Sequence, residues 1–346
     1  MIAPMVLKSF PLDKSIKEEA EKLKTLALQS KGVLISSTLT SDGDSIGSQI
    51  GVYCLLKHWG LKDEQIWIVN ESPVPKRYSF IRHSDRVLTL SQWNSLSVKP
   101  VLDLGITCDG GVERTGEIEV LFHNKMKTVL VDHHSVGSLR SYDCKLLDLN
   151  VSSTCELVYL LCEYFEVTLT KELAEALYIG IVFDTGFFKH SITTPKTHHV
   201  ASRLIATGID FSKISDKAIL ERTWEAQLLL KAMLENVQTF ESGKIVLSHW
   251  SKNQLSKIRF QDGDQEGMIN QLYYTETAAV VVLITERDDG MCKVSFRSKG
   301  GVNVADLARR LNPDGGGHVR AAGCLMPGGV PEVQAQILDV LLPIVR

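Results

Sequence analysis

The hydrophobic positions of this chain gather into short continuous runs separated by amphipathic stretches. "GVLIS" (32–36), "QIWIV" (65–69), "PVLDLGITCD" (100–109) and "TVLVDHH" (128–134) have the length and continuity of strands buried on both faces of a parallel sheet. Around them the period becomes helical, in "KSIKEEAEKLKTLALQS" from 14 to 30, "TCELVYLLCEYF", "ELAEALYIGIVFDTG" and "KTHHVASRLIATG", the last closing on a glycine suited to a helix carboxyl end. Residues 214–238 contain neither glycine nor proline and read as a charged connecting helix. Strand signals then resume in "GKIVLSHW", "TAAVVVLI" and "CKVSFRS", before the helix-like "VADLARRLN". The pattern predicts an α/β protein with a parallel-sheet domain over 1–213, a helical linker over 214–238 and a smaller α/β domain over 239–346.

A length of 346 residues agrees with two domains, and 44% hydrophobic with 23% charged residues is ordinary for a globular chain. The net charge of −3 supplies no field for long duplex nucleic acid. The longest apolar stretch, "AAVVVLI", is too short to span a bilayer, and the N-terminus lacks a signal-peptide core, so no membrane partner and a cytoplasmic address are expected. Seven cysteines without CxxC spacing read as reduced core thiols.

Most of the apolar runs end in, or are soon followed by, Asp or His, at the end of a strand where open α/β sheets place their ligands. Four motifs result: "DGD" (Asp42, Asp44), "CDGGVERTG" (Asp109), "VDHH" (Asp132, His133, His134) and "VFDTGFF" (Asp184). Singly each is weak, since a DxD on a turn is more often a solvated loop or helix cap. Together they would repel strongly unless divalent cations are present. Oxygen ligands with one or two imidazoles suit Mn²⁺, with Mg²⁺ or Co²⁺ as alternatives, and an Asp shared by two ions would give the geometry of two-metal phosphoryl hydrolysis.

In the order of these motifs the chain resembles the DHH phosphoesterase superfamily, over roughly residues 30–210, and "SFRSKGGVNVADLARRLNPDGGGHVRAAG" (295–323) is similar to the DHH-associated C-terminal domain. The resemblance implies that Asp42 binds a first ion, that Asp109 bridges, and that Asp44, His133 and Asp184 bind a second. It implies that His134 faces the scissile phosphate, with Asp132 orienting the neighbouring imidazoles. Family members usually carry histidine four residues before the first Asp of DGD, where this chain has Thr38. Three outcomes are open: weaker occupancy of that ion with activity retained, a replacement ligand, for which His190 is a candidate against the plainer reading of a loop histidine, or a protein that binds nucleotides without cutting them. His198 and His199 read as surface residues.

In the second domain, Gly315, Gly316 and Gly317 before His318, with Arg297 and Ser298 in "SFRS", read as a phosphate and nucleotide clamp. Cations on one domain and a clamp on the other would place the active site in the cleft between them and select short ligands. The expected substrates are short RNA oligonucleotides, dinucleotides or 3'-phosphoadenosine 5'-phosphate, hydrolysed by a metal-activated hydroxide; cyclic dinucleotides are the rival class. Arg114 and the "SST" at 152–154 also match the family pattern; Arg114 would either neutralise substrate phosphate or pair with a structural carboxylate. Homodimerisation is expected from the resemblance alone.

Overall fold

The computed structural model describes residues 10–123, 126–134, 141–265 and 267–345. The N-terminal stretch read above for a signal peptide lies largely outside the described residues. The chain divides into two compact units, Met1–Glu221 and Arg222–Arg346.

In chain order the first unit holds α1 (Lys14–Gln29), β1 (Val33–Ser36), α2 (Gly43–His58), β2 (Ile66–Asn70), β3 (Val87–Thr89), α3 (Leu90–Asn94), β4 (Leu104–Cys108), β5 (Lys127–Asp132), β6 (Cys144–Leu147), α4 (Thr154–Tyr164), α5 (Lys171–Thr185), α6 (Pro195–Ile205) and α7 (Phe211–Ser215). Its strands pair in the order β3-β2-β1-β4-β5-β6, every pair parallel. β1 and β4 are buried at every residue, because helices and loops cover both faces. Val33, Ile35, Ile106, Val129 and Val131 face the larger apolar cluster, and Leu34 and Val69 the smaller one around Trp93, Ile118 and Phe122. Each fully buried Ile or Leu contributes about 1.5–3 kcal/mol relative to exposure. The strand order reverses between β1 and β4, so the ligand crevice of such a sheet opens at their carboxyl ends. The apolar runs locate β1, β2, β4 and β5; the edge strands β3 and β6 are too short to stand out by periodicity.

Residues 214–238 are two pieces and not one helix. A π-helical turn, Asp216–Leu220, follows α7, Glu221 is extended, and Thr223 caps a new helix, α8 (Trp224–Glu235), by accepting the Ala226 N–H at 3.0 Å. α8 buries Ala226, Leu229 and Met233 in the core of the second unit. That unit continues with β7 (Gln238–Phe240), β8 (Ile245–Trp250), α9 (Lys252–Leu255), α10 (Ile269–Tyr273), β9 (Val280–Glu286), β10 (Met291–Ser298), α11 (Val304–Leu311), β11 (Gly316–His318), β12 (Ala321–Pro327) and α12 (Val330–Val345). Its sheet runs β11-β12-β10-β9-β8-β7, antiparallel except for the β8–β9 pair. The seven cysteines are free thiols, six of them buried. No helix among the described residues is long and apolar enough to cross a membrane.

Candidate metal centre and phosphate site

The DGD turn divides its two carboxylates between different tasks. Asp42 is the N-cap of α2, its Oδ1 accepting the N–H groups of Asp44 and Ser45 at 3.0 Å each, so the plain capping role is present there. Asp44 lies inside α2 and is fully buried; its two oxygens accept the first two N–H groups of α4, from Thr154 at 2.7 Å and Cys155 at 2.8 Å. Helix α2 comes this close because glycine repeats every four residues along it. A Cβ at Gly47 would stand 2.2 Å from the Ala176 carbonyl oxygen of α5, and one at Gly180 of α5 would stand 2.5 Å from Asp44 Oδ1.

Asp109 follows β4 with φ at +62°, a left-handed backbone uncommon for a residue other than glycine. Its Oδ2 accepts the Ser45 hydroxyl at 2.6 Å and its Oδ1 lies 3.4 Å from Thr154 Oγ1. β5 delivers the next motif. The Asp132 carboxylate accepts the N–H of His133 at 2.8 Å and pairs with His134 Nδ1 at 2.8 Å, so it orients His134 by its ring and His133 through the backbone.

Around His133 the structure brings together residues from four elements. Nε2 stands 3.2 Å from Asp184 Oδ2, and 3.9 Å from both Asp44 Oδ2 and Asp109 Oδ1. Among the described residues, both ring nitrogens of this buried imidazole lack a hydrogen-bond partner. Two overlapping sets of donor atoms, Asp109–His133–His134 and Asp44–His133–Asp184, each lie within 4.8 Å. Buried imidazole nitrogens without partners, surrounded by carboxylates, fit a divalent cation. Asp42 belongs to neither set.

Electrostatics supports the same reading. Burial, then repulsion from Asp184, pushes Asp44 up to about 7. Burial, then the Asp109 charge, outweighs the help of His133 and brings Asp184 to about 7. Asp109 is raised well above the carboxylate range by burial and by Asp44. Burial disfavours the His133 imidazolium, but the surrounding Asp184, Asp44 and Asp109 carboxylates prevail and raise it to about 9. A cation would relieve the repulsion that these shifts record.

Thr38 is buried beside this cluster and brings a hydroxyl, not an imidazole or carboxylate. Its hydroxyl donates to the Thr40 carbonyl at 3.3 Å and lies 3.4 Å from Ser45 Oγ. His190 is no substitute in this geometry. It is exposed, and its Nδ1 lies 2.9 Å from the Asp184 backbone carbonyl, which closes the end of α5. His198 stacks on Phe188 and His199 packs against Phe10. Arg114 is exposed next to the Asp109–Gly110 turn, and its guanidinium makes no ion pair among the described residues.

In the second unit, strand register aligns part of the expected clamp. Arg297 of β10 and His318 of β11 both pair with Ala321 of β12, so their side chains share one sheet face, their Cα atoms about 10 Å apart. Arg297 Nη1 donates to the Phe296 carbonyl at 2.9 Å, and burial lowers its pKa without removing its charge. Ser298 is not brought together with them. Alternation turns it to the opposite face, buried, where its Oγ accepts the Gly300 N–H at 3.2 Å. The three glycines also divide. A Cβ at Gly315 would stand 2.5 Å from the Ala308 carbonyl oxygen and one at Gly317 2.4 Å from that of Ala321, whereas Gly316 opens onto free space. Packing within the chain therefore accounts for two of them.

Sequence reasoning singled out the 152–154 segment without a role for it, and missed the other supports of the site: Ser45, the Cys155 N–H group, and Gly47 and Gly180. The "GDSIGSQIG" spacing was the available signal for the glycines of α2.

A doubly wound sheet with carboxylates and imidazoles converging at its switch point presents a candidate divalent-metal centre. The chain belongs to the DHH family. The DHH family N-terminal domain matches residues 32–181 and the DHHA1 domain residues 252–345, together more than half of the chain. Among its relatives, "Bifunctional oligoribonuclease and PAP phosphatase NrnA" of Thermus thermophilus is 28% identical over 320 residues, 89% of each chain. The protein of the same name from Bacillus subtilis is 28% identical over 311 residues, 88% of this chain and 92% of the relative. Among solved structures, an exopolyphosphatase-related protein from Bacteroides fragilis shares the fold with a TM-score of 0.85, 23% identity and coverage of 96% of this chain and 99% of that one.

Proposed function

We propose that this phosphoesterase hydrolyses very short oligoribonucleotides to mononucleotides and removes phosphate from 3'-phosphoadenosine 5'-phosphate, with Mn²⁺ as its cation. The observation that carries the reading is the convergence of Asp44, Asp109 and Asp184 on His133 Nε2, which has no hydrogen-bond partner among the described residues. The names of the relatives that match along most of the chain support the substrate class.

In this reading Asp44, Asp109, His133 and Asp184 would hold one cation, and Asp42 with Asp109 would hold a second more weakly, because Thr38 brings no imidazole. A cation bound there supplies Lewis-acid stabilisation of phosphoryl oxygens and a water acidic enough to attack phosphorus near neutral pH. Asp132 occupies His134 Nδ1, which leaves His134 Nε2 for the substrate. Arg114, with no carboxylate partner among the described residues, neutralises substrate phosphate. Arg297 grips a terminal phosphate with its remaining N–H groups, and His318 and the Gly316 backbone add donors. On the family resemblance we read the chain as a homodimer, which size-exclusion chromatography with light scattering checks.

The test is release of AMP from pApA and of phosphate from 3'-phosphoadenosine 5'-phosphate while Mn²⁺ is titrated, with a cyclic dinucleotide alongside. Turnover of the first two supports the reading. Turnover of the cyclic substrate alone, or of none, overturns it.

A further inference from the structure

We infer that Glu156 is a positioning residue for this centre: it locks the α4 amino terminus, whose N–H groups hold Asp44, to the amino terminus of α6. The inference rests on the reading of Asp44 and Asp109 as cation ligands.

Glu156 is the third residue of α4, and its side chain is fully buried. Its Oε2 accepts the Ser152 N–H at 3.1 Å, the Ser152 hydroxyl at 2.5 Å and the Thr197 hydroxyl at 2.8 Å. Its Oε1 has no hydrogen-bond partner, with Lys196 Nζ 3.8 Å away as the nearby charge. An ordinary capping box returns the glutamate of this position to the N–H of the cap residue. Here the cap is Ser153, which accepts the Glu156 N–H at 3.0 Å, and the carboxylate reaches one residue further back.

That displacement has a consequence for the metal centre. The Ser152–Thr154 turn is what presents the Thr154 and Cys155 N–H groups to Asp44 and the Thr154 hydroxyl to Asp109. Thr197 belongs to the first turn of α6, where it forms a capping box with Thr194. One buried carboxylate therefore receives donors from the residue just before the α4 cap and from the first turn of α6, at two helix amino ends where the dipoles favour negative charge. If it is removed, Ser152 and Thr197 lose their acceptor and the turn loses its fixed place against Asp44.

The experiment is Mn²⁺ binding, without substrate, by isothermal titration calorimetry on the full chain and its variants, with circular dichroism and thermal melts in parallel. Glu156→Ala and Thr197→Val are expected to raise the Kd for Mn²⁺ about tenfold and about fivefold, with Glu156→Gln and Thr197→Ser within about twofold of the unaltered chain. Gln keeps an oxygen for Ser152 and Thr197, and Ser keeps the hydroxyl, so rescue by both marks positioning and not bulk packing. If Glu156→Ala does not fold, the Thr197 pair decides. Unchanged Mn²⁺ affinity in Thr197→Val and in any folded Glu156→Ala, even with a lowered Tm, overturns the inference alone. Failure of the unaltered chain to bind Mn²⁺ overturns the cation reading and the inference with it.

Discussion

His133 Nε2 lies 3.2 Å from Asp184 Oδ2, joining the loop after β5 to the last turn of α5. Both groups are pushed from their ordinary titration ranges by the same crowding, so their removal should be felt first in cation binding. His133→Ala and Asp184→Asn should each weaken Mn²⁺ binding by more than the roughly 10–100-fold that loss of an outer-shell partner costs. Calorimetric titration of the two variants checks this; wild-type affinity in either would remove that residue from the ligand set.

Chelated protein should lose stability as pH rises. Asp44 and Asp184 are raised from 3.8 to about 7, so each contributes stability that is fully present below 3.8 and lost as pH climbs through about 7. His133, raised from 6.5 to about 9, contributes stability present below 6.5 and lost as pH passes about 9. All three act in one direction, and a bound cation opposes all three. The increase in Tm on adding Mn²⁺ should therefore be larger at about pH 8 than at about pH 6. Melts at both pH values, with and without the ion, decide; an equal or smaller increase at the higher pH would contradict the electrostatic account.

Thr38→His would add an imidazole beside the weaker cation position proposed at Asp42 and Asp109. Hydrolysis should then rise at low Mn²⁺, with little change at saturation. An unaltered Mn²⁺ dependence would mean that the hydroxyl at this position costs the site no ligand.

Gly180→Ala tests the close approach of α5 to α2. The added methyl would stand 2.4 Å from Cys155 Sγ and 2.5 Å from Asp44 Oδ1, so α5 must shift or the carboxylate must move. We expect a loss of about 1–3 kcal/mol in stability, from chemical denaturation, together with weaker Mn²⁺ binding. Unchanged values for both would show that the helices yield freely.

Arg297→Lys keeps the charge and loses the planar fork. KM for pApA should rise about tenfold with kcat nearly unchanged, because a gripped terminal phosphate contributes to binding in ground and transition state alike. A fall in kcat alone would place Arg297 at the reacting phosphorus.

The parallel sheet was legible because strands covered on both faces must be apolar throughout, and four such runs are unambiguous in composition. Two of the carboxylates, Asp109 and Asp132, were legible as positions because the runs of β4 and β5 lead directly into them. The edge strands were not, since three or four residues carry too little pattern, and neither was the break at Glu221–Thr223, where a single threonine cap outweighs favourable helix propensity.

Local sequence also could not separate Asp42 from Asp44. One caps its own helix through backbone nearby, while the other is held by N–H groups of a helix more than a hundred residues away. Strand pairing likewise sets Ser298 apart from Arg297, and packing against the Ala308 and Ala321 carbonyls explains Gly315 and Gly317 without a ligand. Residue type and order specify which groups are available and at which strand ends they emerge, because that information is local. Which oxygen is already taken by a donor, and which imidazole nitrogen is left without a partner, depends on contacts between remote segments and exists only once the chain is folded.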